Sequence, residues 1–168
     1  MANKMRDIEI EKIVLNCGGI GDKLEKSIKL LEMITKRKIR KNRSTKRIPA
    51  FGISPKKESG CKVTIREKEK ITELLKRFFA ALDNQITKKQ VTENQVSFGI
   101  HEYIEIPGLE YNRDVGILGF EISVIFKRKG KRTGLKKIKK GRVPKKQNVH
   151  PDEIKAYLKD KFGVEVKI

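Results

Sequence analysis

Two long stretches of this chain contain no acidic residue, and they limit what the rest can build. Residues 33–57 hold ten Lys or Arg and residues 122–151 hold twelve, with no Asp or Glu in either. Like charges at this density repel and cannot be packed dry, so the core must come mainly from the remaining sequence. Removing these 22 cations from the 41 Lys and Arg leaves 19 against 21 Asp and Glu, a net charge of −2. The whole formal excess of +20 therefore resides in the two windows. A near-neutral scaffold carrying two cationic segments is the pattern expected of a protein that meets a polyanion, nucleic acid first and an acidic membrane surface second.

The scaffold reads as alternating strands and helices. Ile8 to Leu15 starts in alternation and closes on a short apolar run, predicting a strand with one wet face. Asp22 with Glu25 three residues on has the form of a capping box, and Leu24, Ile28 and Leu31 predict a helix ending near Lys38. Lys56 to Gly60 reads as an exposed loop after Pro55, and Lys62 to Arg66 as a second strand with Thr64 on the face of Lys62 and Arg66. Ile71, Leu74, Leu75, Phe78, Phe79 and Leu82 mark the strongest helix. Strands are predicted over Gln95 to Tyr103 and Gly116 to Lys127. A helix opening at Pro151, Asp152 and Glu153 is followed by a strand at Val164 to Val166. The expected fold is α+β, a single domain over 1–168, with a mostly antiparallel sheet, helices packed on one face, and basic loops. The second basic window has too few apolar residues to pack alone and is expected to order on its partner.

Catalytic and metal chemistry find little support. Gly18, Gly19 and Gly21 lie in a strand-to-helix turn, but Gly21 is followed by Asp22 rather than Lys-Ser/Thr, and Leu24 stands where a dinucleotide fingerprint needs glycine. His101-Glu102-Tyr103-Ile104-Glu105 has Glu105 where a zinc protease helix needs its second His. Cys17 and Cys61 form no CxxC and read as small buried residues in strands. No run approaches the roughly 18 apolar residues of a membrane span, and the N-terminus lacks a signal-peptide core, so a cytosolic place is expected. Neither a cofactor, a metal nor an enzymatic activity is expected. Aromatic residues make up only 6% and mostly fall on core stripes, which favours folded RNA read by shape over stacked single strands. No helix-turn-helix or zinc-finger pattern points to DNA, although a histone-like architectural protein would share the charge pattern.

The ordered set IEKIVLNCGGIGD, LEKSIKLLEMIT, FGI, GCKVTIRE, FGIHEYIEIPGLEYNRDVGILGFEISV and VPKK resembles the large-subunit ribosomal protein five family, in its archaeal form, along essentially the whole chain. The resemblance implies a structural protein of the ribosome in the cytoplasm. Its implied partners are 5S ribosomal RNA, large-subunit RNA, the peptidyl-site tRNA, a small-subunit head protein across an intersubunit bridge, and neighbouring proteins of the central protuberance, with no membrane. By motif it places Asn16, Thr64 and Arg66 on 5S RNA. It also matches Lys38, Arg40, Arg43, Lys46 and Arg47 to a basic strand, and Phe51 to an aromatic position before a loop over Gly52 to Gly60. Ser54, Lys56 and Lys57 in that loop would reach tRNA. Where the family commonly reads Thr-Gly-Gln this chain has Thr35-Lys36-Arg37, so Arg37 is expected to replace a specific hydrogen bond by a phosphate contact. The second window adds Lys127, Arg128, Lys131, Arg132, Lys136, Lys137, Lys139, Lys140 and Arg142 as expected ribosomal RNA ligands.

Overall fold

The computed structural model describes residues 3–167. Its elements are strands β1 (Ile8–Gly18), β2 (Arg40–Arg43), β3 (Glu58–Ile65), β4 (Gln85–Thr87), β5 (Val91–Thr92), β6 (Gln95–Ile100), β7 (Phe120–Arg128) and β8 (Glu165–Lys167), and helices α1 (Asp22–Thr35), α2 (Lys68–Ala80) and α3 (Pro151–Phe162). Six strands form a mostly antiparallel sheet in the order β2-β3-β1-β7-β6-β5, while β4 and β8 pair in parallel. The fold class is thus α+β, as the alternation of strand and helix patterns implies. Internal contacts group the chain into two compact units, one of Val14–Ile65 with Gly99–Ile122, the other of Arg66–Phe98 with the described residues up to Ile13 and from Ser123 onward.

In the first unit, alternation buries Leu15 and Cys17 on β1 and Cys61, Val63 and Ile65 on β3, and α1 adds Leu24, Leu30, Leu31 and Ile34. The helix differs from its sequence reading at both ends. Asp22 is its first residue, and the cap is Gly21, at φ 59° and ψ −132° with no side-chain hydrogen bond, so the capping box is absent. It stops at Thr35, because Lys36 turns left-handed at φ 51° and its N–H bonds the Glu32 carbonyl. A lysine thus occupies a conformation that glycine adopts without strain, at the position where the resemblance implies glycine.

Further boundaries also move. β3 begins at Glu58, so Glu58 to Gly60 are strand rather than loop. β6 ends at Ile100, because the chain turns into a 3₁₀ segment at Tyr103–Glu105. Tyr103 is fully buried there, and its hydroxyl accepts the Asn112 N–H at 2.8 Å. β7 starts at Phe120 rather than Gly116, since Gly116 is left-handed at φ 71° and cannot continue a ladder.

The second unit is built on the predicted stripe of α2, with Ile71, Leu74, Leu75, Phe78 and Phe79 all buried, whereas Leu82, read as its last position, lies beyond the helix end at Ala80 in a turn and is half-buried. Phe79 packs against Phe98 and Phe162 at ring-centroid distances of 5.4 Å each, and Phe126 against Tyr157 at 5.7 Å. Fully burying one such phenyl ring stabilises the fold by about 2–3 kcal/mol. Helix α3 begins as expected at Pro151, with a reciprocal bond pair between His150 and Glu153 across its first turn.

Candidate nucleic-acid interface

The first basic window folds into an edge strand and an arm. β2 has almost nothing apolar to bury, and it exists because its main chain pairs with β3: Arg40 stands opposite Lys62, Lys41 opposite Cys61, Asn42 opposite Gly60 and Arg43 opposite Glu58, with a bulge at Asn42/Arg43. Glu58 answers two of these cations, Lys41 at 3.1 Å and Arg43 at 3.7 Å. Beyond it the arm is held mainly by main-chain bonds, Ser44 N–H to Lys57 O at 2.9 Å, Lys56 N–H to Ser44 O at 2.8 Å, and Ile48 and Ile53 exchanging bonds at 2.9 and 3.1 Å, with the Ser44 hydroxyl donating to the Lys46 carbonyl at 2.6 Å and Lys57 Nζ to the Gly52 carbonyl at 3.4 Å. A 3₁₀ turn over Pro49–Phe51 closes the tip, and Gly52 at φ 61° reverses the chain. The arm therefore spans 44–57 rather than the expected loop of Gly52 to Gly60.

Lys46, Arg47, Ser54, Lys56 and Lys57 are all exposed on this arm, and Phe51 is 71% exposed at its tip. A phenyl ring left in water among cations has no packing role in the fold, which makes it the most conspicuous apolar group of this surface. Lys38 and Arg40 are likewise exposed, while Arg37 is half-buried and engaged within the chain.

On the sheet itself Asn16 and Thr64 lie on the strand faces opposite the buried residues, both half-buried. Asn16 Nδ2 donates to Glu121 Oε2 at 3.3 Å, which holds the amide with its oxygen available as an acceptor. The shallow cleft beside it is lined by Asn16, Gly18, Gly99, His101, Gly119 and Glu121, where missing side chains bring main chain to the surface. Arg66 follows β3 directly and is exposed.

The cysteines, 44 positions apart in sequence, are brought together by these neighbouring strands. Cys17 is 3% and Cys61 0% exposed, and both are free thiols. Hydrogen bonding to Cys61 and burial push the Cys17 thiol well above its ordinary range, while the same bond lowers Cys61. Sequence spacing gave no sign of this pairing, since strand order decides it. The two act as a small polarisable core pair; a thiol held protonated is a poor nucleophile. Among the described residues no group of three or more His, Cys, Asp or Glu could hold a metal ion, and no helix is long and apolar enough to cross a membrane.

In the second unit the other basic window runs from the end of β7. Lys127 is half-buried, Lys131 and Arg132 lie in a 3₁₀ turn at Lys131–Leu135, and Lys136, Lys137, Lys139, Lys140 and Arg142 are exposed. Leu135 and Ile138 stand 66% and 81% exposed among them. Arg128 is different, with a side chain only 11% exposed and an ion pair to Glu153 at 2.6 Å.

A family model describing the C-terminus of the ribosomal L5 family matches residues 58–164. The large ribosomal subunit protein uL5 of Methanosphaera stadtmanae is 35% identical over 168 residues, covering 98% of this chain and 99% of the relative. That of Nanoarchaeum equitans is 33% identical over 99% of both chains, and that of Picrophilus torridus 33% identical over 98% of this chain and 95% of the relative. A cationic arm paired to the sheet edge, a main-chain-lined cleft beside Asn16, and this end-to-end similarity to archaeal relatives converge: the chain belongs to the ribosomal L5 family, in its archaeal form.

Proposed function

We propose that this protein binds 5S ribosomal RNA, helps attach it to large-subunit RNA in the central protuberance, reaches the peptidyl-site tRNA with the arm at 44–57, and meets a small-subunit head protein. Membership of the family makes it a structural component of the large ribosomal subunit with ribosomal RNA as partner, and not an enzyme. The observation that carries the finer reading is the exposed, acid-free arm that leaves the sheet edge in the same unit as Asn16 and Thr64. Phosphates would be met by Arg40, Arg43, Lys46 and Arg47, which supply affinity without sequence information. Specificity would come from placed groups: the Asn16 amide, the Thr64 hydroxyl and the Phe51 ring.

A protein partner is supported by a surface of opposite character. Residues 101–119 carry Glu102, Glu105, Glu110 and Asp114 against Arg113, and expose Ile104, Tyr111 and Ile117 at 38%, 56% and 64%. Phosphate would be repelled there, whereas a basic protein surface finds both charge and apolar contact. Neighbouring proteins of the central protuberance are further partners of the same reading.

The test is a titration of the full chain with 5S ribosomal RNA against length-matched duplex RNA and duplex DNA over a salt series. Phosphate contacts are common to all three, so a preference for 5S RNA of about a hundredfold that persists at high salt supports the placed interface. Convergence of all three affinities as salt rises would leave only a general polyanion binder.

A further inference from the structure

Residues 129–148 leave β7 and return to α3 as one basic loop, and both feet of that loop are tied down within its own unit. At the departing foot Arg128 places one guanidinium nitrogen 2.8 and 2.6 Å from the two Glu153 oxygens and donates another to the Arg6 carbonyl at 3.1 Å. The next residue, Lys129, pairs with Asp7 at 2.8 Å. At the returning foot Asn94, left-handed at φ 60°, uses three groups: its N–H donates to the Val149 carbonyl at 3.1 Å, its side-chain oxygen accepts the Val149 N–H at 2.8 Å, and its carbonyl accepts the Phe126 N–H at 2.8 Å. Val149 itself is fully buried, and Asn148 donates to Glu93 at 3.3 Å.

Two features tie this arrangement to the loop rather than to the fold alone. The carboxylates Asp7, Glu93 and Glu153 all sit at the feet, so the unanswered positive charge lies along the span between them, at Lys131 to Lys146. Arg128 is also a costly way to fill space, because its buried Nε–H has no partner among the described residues. An apolar side chain would avoid that desolvation, and what it could not supply is orientation.

We infer that Arg128, Glu153 and Asn94 are positioning residues for RNA binding: they clasp the feet of the basic loop so that its lysines meet phosphates as a set, and Arg128 is not itself a phosphate ligand. This rests on the reading that the loop binds ribosomal RNA. Fixing the ends of a long loop lowers the ordering cost of its contacts, so the clasp acts on affinity without touching the ligand.

Glu153→Gln tests it, because glutamine keeps the shape and can still accept the His150 N–H while losing the charge that holds Arg128. The full chain is titrated onto deproteinised large-subunit ribosomal RNA over a salt series, with thermal unfolding confirming the fold. Electrostatics alone predicts tighter binding, since a carboxylate has been removed from a protein that binds a polyanion. The clasp predicts the opposite, a loss of about three- to tenfold with a salt slope shallower by about one or more, although no basic residue has gone. Arg128→Lys, which keeps the charge but lacks the two-pronged fork, is expected to behave the same way and replaces Glu153→Gln if that variant does not fold. Parental or tighter binding with a parental slope in the folded variant overturns the clasp. Alanine at Lys136, Lys137, Lys139 and Lys140 separates the two levels: parental binding by that variant means the loop does not touch RNA and the underlying reading fails, whereas lost binding beside a parental Glu153→Gln means that only the clasp fails.

Discussion

A methyl group on Gly119 would lie 2.4 Å from the His101 carbonyl oxygen and 2.5 Å from that of Ile100. Both obstacles are main chain, so a side chain cannot swing aside to make room and the strands themselves must part. Gly119→Ala is expected to destabilise the fold by about 2–3 kcal/mol in chemical denaturation. A change within about 0.5 kcal/mol would show that the edge of this cleft is soft. In the sequence Gly119 is one of 13 glycines with nothing to single it out, because what constrains it is a carbonyl some 18 positions away. The same limit explains the cysteine pair and the misread cap at Asp22. Residue types announce what a position can do, while the neighbour that decides among those options arrives through the fold. Asn16, Thr64 and Phe51 were legible as candidates because their motifs were, yet only the structure shows the amide held by Glu121 and the ring standing in water.

Elements long enough to repeat their pattern were readable, and short ones were not. Helix α2 shows its apolar stripe over three turns, so its core face could be named residue by residue. β2, β4 and β5 run only four, three and two residues, too few for a period, and β2 is the wholly polar Arg-Lys-Asn-Arg, ordered by its partner strand. Helix α3 was legible from Pro151 and its acidic first turn, and its start carries a pH dependence. Partial burial alone would raise the Glu153 carboxyl, but the His150 N–H and the Arg128 guanidinium outweigh it and hold the group below the ordinary carboxylate range. A depressed folded-state value means that this stabilisation is present above the unfolded value, about 4.3, and is lost as pH falls through the lower folded one. Amide exchange around 150–154 is therefore expected to accelerate as pH is lowered into the acid range, beyond the intrinsic pH effect, and Glu153→Gln should flatten that added dependence. An equal acid response in parent and variant would place the titrating group elsewhere.

At the scale of the molecule, charge location carries more information than charge total. The formal excess of +20 could arise from a lysine-rich surface of no special purpose, and then any exposed lysine would serve as well as another. The chain offers its own control, because Lys26, Lys29, Lys76 and Lys89 are exposed on the near-neutral scaffold, outside both windows. Three alanine sets of four residues each make the comparison: these scaffold lysines, Lys46, Arg47, Lys56 and Lys57 on the arm, and Lys136, Lys137, Lys139 and Lys140 on the second loop. All three remove the same net charge and so lower the long-range attraction to RNA alike. Only a set that sits on phosphates also releases fewer counterions, flattening the plot of log affinity against log salt by up to about 0.9 per lost contact. Titration with 5S ribosomal RNA for the arm set, with large-subunit ribosomal RNA for the second-loop set and with both for the scaffold set should therefore show slopes shallower by about two to three for each window set and by less than about one for the scaffold set. Three equal slopes would mean that the windows are solvated surface like the rest. A flattened slope in one window alone would assign the RNA to that window and leave the other to a protein partner.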